Sequence, residues 1–159
     1  MGWKEKLEEK RQREEAKRYF RSNNPYYFSN EMWMKLIVTG LFVSLGCGIA
    51  YGLFTMLIHI QFSYILALIG VVIAKALRKV AGVGNEKLGI LTVVMYFVSL
   101  VFSNVVSIAI YYLMLGGNIA GIFSPGIWLS ALTSLFSGSM ISSIFYLFGA
   151  IYAYNIASN

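Results

Sequence analysis

The side chains able to do chemistry are few and poorly placed for it. The chain of 159 residues has one histidine, His59, one cysteine, Cys47, and no aspartate; its seven acidic residues are all glutamate. Nucleophilic catalysis needs a base beside a serine or cysteine. His59 and Cys47 lie about three turns apart along one helix, too far to touch. Ser137-Gly138-Ser139 has the look of an intramembrane serine nucleophile, but no histidine stands on another helix to activate it. One Cys and one His cannot make a zinc site. The turn Gly82-Val83-Gly84-Asn85-Glu86-Lys87 lacks the spacing of a phosphate-binding loop. Proton-coupled carriers place an ionisable group inside the membrane, and no glutamate falls within an apolar run. These residues predict a protein that is not an enzyme, with no metal and no cofactor.

What remains is polar but uncharged. Helices in lipid associate through close backbone approach and polar contacts, so small residues at four-residue spacing mark their seams. Ser44, Gly48 and Gly52 form one such row, Ser99, Ser103 and Ser107 a second, and Ser130, Ser134, Gly138 and Ser142 a third. The first use of such rows is internal packing of a bundle; the second is contact with another copy of the chain. Asn104 lies within an apolar run, where an unmet amide is costly. It serves either as glue between helices or as the lining of a polar path.

The elements that must position these residues follow from composition. The chain is 58% hydrophobic and 13% charged, far from the roughly 25% charged content of soluble domains. A helix needs about 20 apolar residues to cross a bilayer. The expected fold is all-α: a polytopic membrane four-helix bundle preceded by a charged cytoplasmic helix. Residues 1–32 make that helix and its linker, and residues 33–159 the four-span domain, with spans near 36–58, 61–77, 88–115 and 127–154. The last is read as a single tilted helix; the other reading lays 127–136 at or just inside the outer surface and starts a shorter crossing near Met140.

Charge sets the orientation. All thirteen Lys and Arg precede residue 88, either in the N-terminal head and its junction with the first span or between Lys75 and Lys87. The positive-inside rule places both segments in the cytoplasm, and with them both chain ends. The head is too charged to be a signal peptide. Lys75, Arg78, Lys79 and Lys87 form a basic rim suited to anionic lipid or to an acidic partner. The interspersed glutamates and the lack of any known motif argue against nucleic acid.

Ile69-Gly70, Lys75-Ala76-Leu77-Arg78, the glycine-rich turn, Lys87-Leu88-Gly89-Ile90-Leu91 and the closing Phe148-Gly149-Ala150-Ile151-Tyr152-Ala153-Tyr154 together resemble uncharacterised small bacterial four-helix integral membrane proteins. That resemblance implies a bacterial inner membrane and brings no functional residue. The expected role is a non-enzymatic scaffold, adaptor or accessory subunit of a membrane complex, working with membrane lipids and either a second copy or a membrane-protein partner. The alternatives are a small channel or carrier for a neutral or weakly polar solute, and an inner-leaflet lipid-binding regulator or enzyme.

Overall fold

The computed structural model describes residues 3–23, 28–58, 63–137 and 140–159, and among them every regular element is helical. The helices are α1 (Trp3–Asn23), α2 (Asn30–Ile58), α3 (Ser63–Ala81), α4 (Glu86–Met114), α5 (Pro125–Phe136) and α6 (Met140–Ser158), with a 3₁₀ turn over Ile119–Phe123. Of these, α2 and α4 are long and apolar enough to cross a membrane.

Local sequence explains the boundaries. The Ser29 hydroxyl accepts from the Met32 amide at 3.2 Å, and Phe28 packs edge-on against Trp33 at 5.6 Å. That pairing is a hydrophobic staple around an N-cap, and it fixes how the chain enters α2. Asn85 caps α4 by accepting from the Lys87 amide at 3.0 Å. Gly82, at φ 74°, and Gly116, at φ 84°, follow the ends of α3 and α4, in the left-handed region that suits glycine. Pro125 opens α5, where its missing N–H costs nothing.

Helix α4 is central and touches α2, α3, α5 and α6. The contacts give the directions. A β-carbon built on Gly40 would meet Met95, one on Gly48 would meet Ser99, and one on Gly52 would meet Ser103, so α2 and α4 run parallel. Gly149 faces Tyr96 while Tyr154 faces Gly89, so α6 runs against α4. Gly70 faces Gly149, and the Arg78 guanidinium donates to the Ile156 carbonyl at 3.0 Å, so α3 runs alongside α6. The start of α2, the α3–α4 turn and the end of α6 therefore share one end of the bundle. Leu36, Ile73, Leu77, Leu88 and Tyr96 fill the core near that end.

The last segment departs from the expected single helix over 127–154. The chain forms two helices, α5 and α6, and Ser137 caps the first of them. Both run against α4, one after the other. α5 covers Val105 with Ile127 and Ala131, and α6 covers the stretch from Tyr96 back to Gly89. Serines at 134, 137 and 142 compete for backbone hydrogen bonds, which weakens a helix there.

Candidate functional site

Polar side chains from separate helices converge beside the α5–α6 break. They line a cavity of about 230 Å³. Helix α2 gives Tyr51 and Thr55, α4 gives Ser103, Asn104 and Ser107, and α6 gives Tyr146, with Met56, Leu66, Leu100 and Leu135 as the apolar wall. None of these residues is Lys, Arg, His, Asp or Glu.

Hydrogen bonds hold the lining in place. Thr55 Oγ1 donates to the Gly52 carbonyl at 2.9 Å and lies 3.3 Å from Ser107 Oγ, which ties α2 to α4. Ser107 Oγ also reaches the Ser103 carbonyl at 3.1 Å. Asn104 Nδ2 donates to Ser134 Oγ at 3.0 Å and reaches the Ala131 carbonyl at 3.4 Å, clasping α5 onto α4. Among the described residues no donor meets Asn104 Oδ1, and the Tyr51 and Tyr146 hydroxyls have no hydrogen-bond partner. The cavity thus offers one amide acceptor and two phenols, each able to donate and accept.

An ion entering the cavity would lose its water and find no countercharge, which is prohibitive at low dielectric. An uncharged molecule with hydroxyl or amide groups would exchange water for the lining at little cost. Among the described residues no acid, histidine or lysine lines the cavity.

The other residues singled out by sequence fall as follows. Ser44, Gly48, Gly52, Ser99 and Ser103 are buried where α2 meets α4. The two rows meet each other inside one chain. Ser134 is joined to Asn104, Ser142 is buried, and Gly138 and His59 lie outside the described residues. Lys75, Arg78, Lys79 and Lys87 are exposed at the shared end; Arg78 also caps α6. A cation at a helix C-terminus meets the negative end of its dipole.

Sequence reasoning missed the seam between α3 and α6. A β-carbon on Gly70 would lie 2.6 Å from the Gly149 carbonyl oxygen, and Ala153 is beside it. The signal was present as Gly149, Ala153 and Ala157, again at four-residue spacing. It also missed Tyr51, Thr55 and Tyr146.

Tyr96 gives a test of this packing. Its ring is fully buried against Gly149, and its hydroxyl has no partner. A buried unpaired hydroxyl carries a desolvation penalty of about 1–3 kcal/mol. Tyr96→Phe is expected to leave the unfolding midpoint in detergent unchanged or raised. A clear loss of stability would mean that the hydroxyl is bonded.

No protein-family model, curated protein or solved structure matches the chain.

Proposed function

We propose that the chain is a four-span, non-enzymatic membrane protein that binds a small uncharged polar solute in the cavity beside the α5–α6 break and lets it pass. The spans are α2, α3, α4 and the α5–α6 pair, set in a bacterial inner membrane with both chain ends cytoplasmic. Helices α3 and α6 have 19 residues each, about 28 Å at 1.5 Å per residue, close to the hydrocarbon thickness of about 30 Å. The alternating helix directions bring every Lys and Arg of the bundle to one end, as the positive-inside rule requires.

The observation that carries the functional reading is the uncharged polar lining at a helix break. Discontinuous helices are tolerated in membranes where they line a cavity, and they mark the binding sites of many transporters. The scaffold reading keeps α1 and the basic rim as its support. The small-residue row of α2, which it also drew on, is spent on α4 of the same chain.

Glycerol permeation into proteoliposomes, followed by light scattering after an osmotic step, tests the function. Entry faster than in protein-free vesicles is expected, with no gain for sodium or chloride. Equal entry with and without protein removes the reading. Orientation is checked separately: a cysteine at Gly117 should react with a membrane-impermeant maleimide from outside whole cells, and one at Val83 only after lysis. The reverse pattern would invert the topology.

A further inference from the structure

Tyr51 belongs to two spaces at once. On one side it lines the polar cavity; on the other it lines an apolar groove of about 380 Å³ between α2 and α3. The groove is walled by Cys47, Ala50 and Phe54 on α2 and by Ile65, Leu68 and Val72 on α3. It exists because α2 is held to α4 by its glycine row while α3 is held to α6 by Gly70, so α2 and α3 stand apart near their uncharged ends. Leu68 and Val72 are exposed along its rim, 57% and 50%.

We infer that the natural guest is an amphiphile with an uncharged hydroxyl-bearing head and one alkyl chain, the head in the polar cavity and the chain in the α2–α3 groove, with Tyr51 at the junction. This rests on the solute-binding reading above and names the class of solute. The head must be neutral, because no charged side chain among the described residues lines the cavity. The tail must be apolar and slender, because the groove walls offer aliphatic and aromatic side chains and a single thiol. The groove volume lies within the usual range of about 300–1,000 Å³ for small-ligand sites. A phenol between the two spaces suits the place where a hydroxyl head meets its chain, since tyrosine presents an apolar ring and a polar tip.

The probe is a monoacylglycerol carrying a diazirine within its acyl chain, photolysed with the full-length protein in nanodiscs and mapped by peptide mass spectrometry. Labels should cluster on the α2 and α3 residues of the groove. Leu68→Trp, which fills the groove from an exposed position, should cut that labelling about tenfold, equivalent to about 1.4 kcal/mol, and leave glycerol permeation unchanged. Ala50→Phe is the second filling variant and should do the same. An unlabelled monoacylglycerol should compete, and a lysophosphatidic acid with the same chain should not.

Labels spread evenly over the outward faces of all helices, labelling indifferent to both variants, or equal competition by the anionic lipid would each overturn the inference while glycerol permeation stands. Absence of glycerol permeation in the unmodified protein would instead bring down the solute-binding reading itself.

Discussion

Gly48→Ile is expected to separate α2 from α4 and to remove most of the folded population under mild denaturation. A β-carbon at Gly48 falls 2.8 Å from the Ser99 carbonyl oxygen and 3.3 Å from the Ser103 nitrogen. Both are backbone atoms of a continuous helix and cannot swing aside. Overpacking a core costs about 1–3 kcal/mol and sometimes more. A β-branched side chain set against backbone belongs at the top of that range, near 3 kcal/mol, a large share of a total stability of about 5–15 kcal/mol. Gly46 is the control on the same helix, because nothing lies within 4 Å of a β-carbon placed there. Unfolding in mixed micelles should show Gly46→Ile close to the unmodified protein and Gly48→Ile far below it. Equal behaviour of the two would mean that α2 does not lie on α4 through this row.

Asn104→Leu is expected to abolish most glycerol permeation while the protein still folds. The amide spans two tasks. Its Nδ2 clasps α5 through Ser134 and Ala131, and its Oδ1 is left for the cavity. Polar contacts between membrane helices average about 0.6 kcal/mol and reach about 1.7, so losing the clasp should cost stability modestly. Losing a buried hydrogen-bonding partner of the solute costs about 1–3 kcal/mol, which corresponds to a fall of about 5- to 150-fold in flux. Leucine also turns that wall of the cavity apolar. The decisive measurement pairs flux with the unfolding midpoint. Unchanged flux beside a lowered midpoint would leave Asn104 as glue alone.

The part of this architecture that could be read from sequence is the part set by short-range rules. Helix content follows from long apolar runs, and the row of Ser44, Gly48 and Gly52 is visible as spacing. The α2–α4 seam could be seen as two compatible faces, although spacing does not say which helix a face meets. The serine row near residues 130–142 spans a helix break: Ser134 bonds Asn104 of α4 and Ser142 is buried, while the contact with α3 is made by Gly149 and Ala153. The break was legible only as an alternative, because serine weakens a helix without forbidding one. Tyr51, Thr55 and Tyr146 were out of reach. Each is ordinary on its own helix, and they come together only because α2, α4 and α6 meet around one cavity.

The pairing of α3 with α6 carries a consequence for how the chain assembles. In the proposed four-span arrangement, no charged side chain between Lys87 and the end of α6 would steer insertion, so α6 would take its orientation from the partners it finds. Until α6 is made, Gly70 lacks the Gly149 backbone it packs against, and Arg78 lacks the Ile156 carbonyl it will cap. Helices α2, α3 and α4, made first, would form a partial template with one open flank. The bundle closes only when α6, distant in sequence from α3, docks into that flank. Synthesis order and native contact order are thus opposed in this chain, and the interval between them is when quality-control machinery can still recognise it as unfinished.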